Sequence, residues 1–238
     1  MSHPGICIIG AMDEEISGFL SQSRISKTIQ RKSFLIHEAV LFGFPVTIVK
    51  CGVGKVFASL ITQHILDAYH PSAVISTGVA GSLSADLRIG DVVVSRDCAH
   101  HDMDAMALGF ERGRIPYTDL RFLAADENLC RLALSASLDP SGNKIVSGRI
   151  LTGDQFISGV RGERHRFLTE ELEGDAIDME SAAIAQVCFV NETPFVSIRT
   201  ISDYADGSAH VDFNEFLPIV AGNSFKIVGH ILRESSIS

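Results

Sequence analysis

Carboxylates placed just behind short apolar runs are the residues of this chain best suited to chemistry. Asp13, Glu14 and Glu15 follow the run GICII at 5–9, Asp178 and Glu180 close a short run at 176–179, and Ser202 and Asp203 follow PFVSIRTI at 194–201. The small-residue stretch TGVAG at 77–81 and Gly153-Asp154, with Phe156 beyond, stand behind two further runs. In an open α/β sheet, ligands bind outside the carboxyl ends of the strands. If the runs are strands of one sheet, Glu15, Glu180 and Asp203 can meet in one crevice although they are far apart in sequence. Carboxyls gathered in such a place, with different surroundings, do general acid and general base work.

Singly, each acid also has a structural explanation. Acids in a first helical turn favour the helix dipole by about 0.3–1 kcal/mol, which would account for Glu15. Ser202-Asp203 could cap a helix behind a strand. Glu180 fits such readings least. It stands between Met179 and the small apolar run SAAIA, where a buried carboxylate needs a partner or a purpose.

Other motifs carry less. His100, His101, Asp102 and Asp104 in HHDMD could hold a divalent ion, but they are too close in sequence to converge well, and no HExxH or second cluster matches them. No metal or other cofactor is expected. Gly52-Val53-Gly54-Lys55 lacks the GxxxxGK[ST] spacing of a phosphate loop, and Val56 stands where a magnesium-binding hydroxyl should follow the Lys. No GxSxG elbow is present.

The elements that must position these residues alternate along the chain. Strands are predicted at 5–9, 34–40, 46–51, 73–76, 92–95, 144–152, 176–179 and 194–201, the second and third as a hairpin around Gly43 and Pro45. Helices are predicted at 14–20, 55–69, 127–137, 161–173, 181–190 and 213–232. The clearest is 55–69, where Val56, Phe57, Leu60, Ile61, Ile65, Leu66 and Tyr69 follow a 3.6-residue period. TGVAGSL reads as a glycine-rich turn. This alternation predicts one α/β domain over 1–238 with a largely parallel central sheet and helices on both faces. The 98–121 segment is long and mixed in character, and loops of that kind are usually functional or interfacial.

Bulk properties narrow the function classes. The 238 residues, 46% of them hydrophobic, can bury a large core without a disulfide or metal staple. The five Cys are widely spaced with no CxxC pair, and they read as reduced core thiols of a cytoplasmic protein. A net charge of -9 argues against nucleic acid and anionic lipid as partners. No apolar run approaches the ~20 residues of a membrane span. The first 15 residues lack the basic region of a signal peptide.

Six segments, in order, resemble the motifs of bacterial methylthioadenosine/S-adenosylhomocysteine nucleosidases. They are GAMDEE at 10–15, STGVAG at 76–81, GDVV at 90–93, GDQFI at 153–157, DMESAAIA at 178–185 and RTISD at 199–203. The resemblance implies an α/β nucleoside phosphorylase/hydrolase fold, a single-domain three-layer α/β/α sandwich with a twisted, partly closed mixed sheet. It implies a small-molecule nucleoside substrate and a homodimer whose 98–121 loop reaches the partner's site. By that resemblance Glu15 activates the attacking water, Asp203 protonates N7 of adenine and Glu180 holds the ribose 2′-hydroxyl. Met12, Val79, Phe156, Met179, Arg199, Ser202 and Phe213 correspond to substrate-binding positions, and the Ile157 backbone addresses the adenine edge. Phe110 and Pro116 correspond to residues that reach the partner's 5′-substituent pocket. Val79 stands where the family often has Ser, and Phe110 where an aromatic with a hydroxyl is common.

The chemistry wants these groups. Breaking the C1′–N9 bond leaves positive charge on the sugar and negative charge on the purine. A protonated Asp203 would make adenine a neutral leaving group, and an ionised Glu15 would stabilise the sugar and deprotonate water, the division of labour of inverting glycosidases. Each role is worth ~10²–10⁴ in rate. A phosphorylase would need Arg, Lys or a nest of amides for phosphate, whereas the first loop offers three acids and no Arg. The expected activity is hydrolysis of methylthioadenosine, S-adenosylhomocysteine and 5′-deoxyadenosine. The alternatives are a futalosine or aminofutalosine hydrolase and a purine nucleoside phosphorylase on the same fold. A nucleoside-binding protein without activity is a further alternative, which would be expected to lack one of the acids.

Overall fold

Ten strands and six α-helices alternate along the chain in the computed structural model, which describes residues 5–32, 34–138, 142–157, 165–204 and 209–235, with side chains of the last helix from 222 onward. The strands are β1 (Ile6–Gly10), β2 (Ser23–Arg31), β3 (Phe34–Leu41), β4 (Phe44–Lys50), β5 (Ala73–Ser82), β6 (Val92–His100), β7 (Leu123–Ala124), β8 (Ile145–Thr152), β9 (Ala176–Asp178) and β10 (Phe195–Asp203). The helices are α1 (Asp13–Gln22), α2 (Lys55–Tyr69), α3 (Glu127–Leu134), α4 (Phe167–Glu170), α5 (Ser181–Val190) and α6 (Ala209–Glu234).

The period of two in β1 divides the interior. Cys7 and Ile9 face one core with Ala58, Ile61 and Ile65 of α2 and Ala182 to Ala185 of α5. Ile8 faces the other core, with Ile16 and Phe19 of α1, Leu129 and Leu132 of α3, and Ile227, Val228 and Ile231 of α6. A strand apolar on both faces belongs at the centre of a three-layer fold, and this one lies between β4 and β5. Among the described residues no helix is long and apolar enough to cross a membrane.

The sheet is mixed rather than largely parallel. Its path runs β10-β6-β8-β9-β5-β1-β4-β3-β2, and β10 also pairs with β5. Those two facts close β10, β6, β8, β9 and β5 into a ring, from which β1, β4, β3 and β2 extend as an open arm. Within the ring, β10 runs parallel to β5 but antiparallel to β6, and β9 runs antiparallel to β5. The sheet therefore changes direction on both sides of the β5–β10 pair, a switch point of the kind where α/β proteins bind ligands.

Several elements differ from the sequence expectation, among them the short strand β7, which was not expected. TGVAG is not a turn but the second half of β5, which pairs with β10 from Phe195↔Val74 to Asp203↔Gly81. Ser202-Asp203 is the end of β10 rather than a cap behind it. Residues 23–31, given no element from sequence, form β2, an arm-edge strand that is mostly exposed. Of the helix expected at 161–173, residues 161–164 lie outside the described set and α4 covers Phe167–Glu170.

Candidate active site

Glu15 reaches the site because α1 begins immediately behind β1. It is the third residue of the helix, and its Oε2 accepts from the Ala11 amide at 2.6 Å and the Met12 amide at 3.1 Å. That is the reciprocal half of a capping box, so the structural explanation of this acid holds. The other oxygen does something a cap does not require: Oε1 accepts from the Val79 amide on β5 at 3.1 Å. Burial pushes the pKa of Glu15 up, while the Arg199 guanidinium and the three amides favour its ionised form.

Gly78 makes this approach possible. A Cβ there would sit 2.3 Å from Glu15 Oε1 and 3.0 Å from Arg199 Nη1. The glycine signal in TGVAG marks close passage of a side chain, not a bend in the backbone.

Beneath Glu15 and Glu180 lies a buried polar hub. Arg199, on β10, donates from Nε to Asp178 Oδ2 at 2.7 Å and from Nη2 to Ser76 Oγ at 2.9 Å. Its Nη1 has no hydrogen-bond partner among the described residues and lies beside Gly78. Asp178 ends β9 and also accepts from the hydroxyls of Thr152 and Ser181 and from the amides of Glu180 and Ser181. A buried carboxylate with so many donors is a fixed anchor, and it sets where α5 starts.

Glu180 is the residue at which α5 starts. Its Oε1 accepts from the Gly54 amide at 2.8 Å. Gly54 caps α2 at φ +99°, a conformation glycine adopts without strain. The Gly52-Val53-Gly54-Lys55 segment thus presents two backbone amides to carboxylates, that of Gly54 to Glu180 and that of Lys55 to Asp154. Burial first, then the charge of Asp178, pushes the pKa of Glu180 up to about 8.

Asp203 ends β10 and is 3% exposed. The Ser202 hydroxyl donates to its Oδ2 at 2.9 Å. The β5–β10 register sets Asp203 opposite Gly81, two residues beyond Val79, which binds Glu15.

One cleft of about 240 Å³ collects these groups. Met12, Glu15, Val79, Phe156, Ile157, Met179, Glu180, Ser202 and Asp203 all line it, as do Ala11, Val53, Ala80, Gly81, Gln155, Ile177 and Asp178, which sequence reasoning did not place there as binding residues. Four acids, Glu15, Asp178, Glu180 and Asp203, within a largely apolar wall can hold a neutral ring system and act on it from several sides. Arg199 does not line the cleft but lies behind it. Phe110 and Pro116 also lie outside it; the Phe110 ring packs edge-on against Tyr117 at 5.3 Å. The side chain of Phe213 falls outside the described residues. Asp178 was visible at a strand end, and its role followed only from the fold. Val53 carried no chemical signal at all.

The HHDMD segment is divided among other partners. Asp102 binds Lys55 Nζ, and His100 Nε2 lies 2.9 Å from Gln186 Oε1. His101 packs so tightly on Gly153 that a Cβ there would meet its ring at 2.2 Å. Among the described residues, no group of three or more His, Cys, Asp and Glu is placed to hold a metal ion.

Residues 5–233 match the family model described as the phosphorylase superfamily. A curated 5′-methylthioadenosine/S-adenosylhomocysteine nucleosidase from Glaesserella parasuis is 37% identical, over 94% of this chain and 96% of that one. Among solved structures, the nucleosidase of that name from Neisseria meningitidis, in complex with methylthio-immucillin-A, superposes with a TM-score of 0.90 at 36% identity, covering 97% of this chain and 99% of the other. Futalosine hydrolase of Helicobacter pylori superposes with a TM-score of 0.88 at 32% identity, covering 96% and 97%.

Proposed function

The chain belongs to the phosphorylase superfamily and, within it, to the methylthioadenosine/S-adenosylhomocysteine nucleosidases, which makes it an N-ribohydrolase; on that premise we propose that it releases adenine from 5′-methylthioadenosine and S-adenosylhomocysteine, and from 5′-deoxyadenosine. The observation that carries the reading is the convergence of Glu15, Glu180 and Asp203 on one cleft from β10 and the starts of α1 and α5.

In the proposed reaction, Asp203 gives its proton to N7 of the base, and the C1′–N9 bonding pair leaves with neutral adenine. Glu15, whose pKa burial raises and whose carboxylate form Arg199 and three amides partly restore, takes a proton from water as its oxygen bonds to C1′. Glu180 accepts from the ribose 2′-hydroxyl, and Met12 and Met179 pack on the sugar. Phe156 covers the base and the Ile157 backbone addresses its edge. The hydroxyl of Ser202 orients Asp203. Water suits the nucleophile position better than phosphate does. Arg199 lies behind the cleft, with two of its nitrogens taken by Asp178 and Ser76 and the third beside Gly78, and phosphate would face Glu15.

The same reading extends to a homodimer. Val53, Val56, Phe57 and Leu60 form one exposed stripe on and before α2, and Leu60 is 57% exposed. Phe189 and Val190 end the neighbouring α5, and Leu108 in the long loop is 68% exposed. Contiguous apolar surface of this kind marks an interface. The loop would bring Phe110 and Pro116 to the partner's 5′-substituent pocket. The five unpaired thiols suit a reducing compartment such as the cytoplasm.

Purified protein is expected to free adenine from methylthioadenosine without added phosphate. Asp203→Asn should lower kcat by about 10²–10⁴ while circular dichroism stays unchanged. Near-normal turnover by that variant would sink the assignment of Asp203, and a rate that requires phosphate would sink the choice of water. The likeness to futalosine hydrolase supports a second reading, hydrolysis of a futalosine-type nucleoside, which a panel of 5′-substituted adenosines and inosines separates from the first.

A further inference from the structure

Three loops next to the cleft are joined in a closed ring of polar contacts that the proposed reaction leaves unused. Lys55 Nζ binds both oxygens of Asp102 at 2.7 Å. Asp102 Oδ2 also accepts from the Asp154 amide at 3.1 Å, and Asp154 Oδ1 accepts from the Lys55 amide at 2.9 Å. The ring ties the loop behind β4 to the loops behind β6 and β8. Burial works against an ionised Asp102, but the bonds from Lys55 and the Asp154 amide outweigh it and hold its pKa below the usual carboxylate range. The Lys55 and Asp102 side chains are 22% and 24% exposed, so solvent screens this pair less than an open surface pair.

The residue before Lys55 is Gly54, whose amide is the donor to Glu180. Gly54 has no Cβ and takes a positive φ, so nothing of its own fixes the direction of its N–H. The peptide that follows is fixed on both sides: its Gly54 carbonyl accepts from the Ala58 amide at 3.1 Å, and its Lys55 amide is held by Asp154 while the Lys55 ammonium is held by Asp102. We propose that Lys55 and Asp102 are positioning residues: through this ring they hold the Gly54 amide on Glu180 and so set the carboxyl group that grips the ribose 2′-hydroxyl. The inference rests on the proposed role of Glu180 and extends it to residues that do not line the cleft. Lys55 then acts in this GxGK sequence as a tether between loops, not as a phosphate ligand.

The test compares wild type with Lys55→Met, Asp102→Asn and Lys55→Arg on two substrates, methylthioadenosine and its 2′-deoxy analogue. A displaced Glu180 should lower kcat/KM for methylthioadenosine by on the order of 10²-fold in Lys55→Met. The deoxy analogue has no hydroxyl for Glu180 to hold, so its penalty should be no more than a few-fold. Lys55→Arg, which keeps a cation for Asp102, should recover most of the loss. Combining Lys55→Met with Glu180→Gln should add little to Glu180→Gln alone, as for two changes in one pathway. Hydrogen exchange of the 52–57 segment should quicken in Lys55→Met. Equal penalties on the two substrates, or additive penalties in the double variant, overturn the proposal. Unchanged exchange at 52–57 overturns it too, and this comparison needs no turnover. A wild type that releases no adenine from methylthioadenosine fails the proposed function instead, and the exchange measurement still decides the ring. If Lys55→Met does not fold, Asp102→Asn carries the same comparison.

Discussion

Glu180 and Asp178 stand two residues apart and differ in almost everything that matters. Asp178 is surrounded by donors, whereas Glu180 has the Gly54 amide and the cleft. Its carboxyl holds a proton up to about 8, against 4.5 for the unperturbed group. The sign of the consequence follows from proton counting. Between those values the folded protein keeps a proton that the unfolded chain has lost, so stability falls as pH rises through the window. Glu180→Gln removes that titration. The melting temperature of the variant relative to wild type should rise by several degrees between pH 5 and pH 8; a difference that stays constant with pH would contradict the buried, proton-holding Glu180 described above. From sequence, Glu180 stood out because an acid ahead of SAAIA fits a structural explanation least, and the structure places it on the cleft. Glu15 was ambiguous for a physical reason: the same carboxylate caps a helix with one oxygen and reaches across to β5 with the other.

Periodicity made most elements legible, and the exceptions have identifiable causes. β2 was missed because its exposed, charged pattern SRISKTIQR lacks a buried face, as suits a sheet edge. TGVAG was misread because glycine signals both turns and close approach, and only the approach of Glu15 tells them apart. That distinction can be measured. Gly78→Ala places a methyl where Glu15 Oε1 now lies, with backbone hydrogen bonds of β5 and β10 to hold the strand in place. The carboxylate must yield first. Activity is expected to fall by at least about 10²-fold, with a loss of stability of roughly 1–3 kcal/mol from overpacking. A variant that unfolds more easily but turns over normally would show that Gly78 serves the strand and not the acid.

At the scale of the whole molecule, the α/β class and the sandwiched sheet followed from alternation, but ring closure did not, because nothing local in β5 or β10 records which strand each will meet. The proposed homodimer belongs to this scale as well. Leu60→Asp introduces a charge into the apolar stripe of α2 without touching the cleft. Sedimentation should show the mass falling from twice the chain mass to one chain. Activity on methylthioadenosine should fall with it, since Phe110 and Pro116 would no longer complete a partner's pocket; a wild-type monomer with full activity would reject the shared site. Closure of the ring also orders events in time. β10 is the last strand made, it forms the longest-range strand pairing of the sheet, and it ends in Asp203. A chain still emerging from the ribosome can already contain Glu15, Val79 and Glu180, yet it has neither the wall nor the acid that completes the cleft. With Asp203 in its proposed role, competence to cleave arrives in the final stage of synthesis and folding, and a prematurely ended chain carries no partial hydrolase.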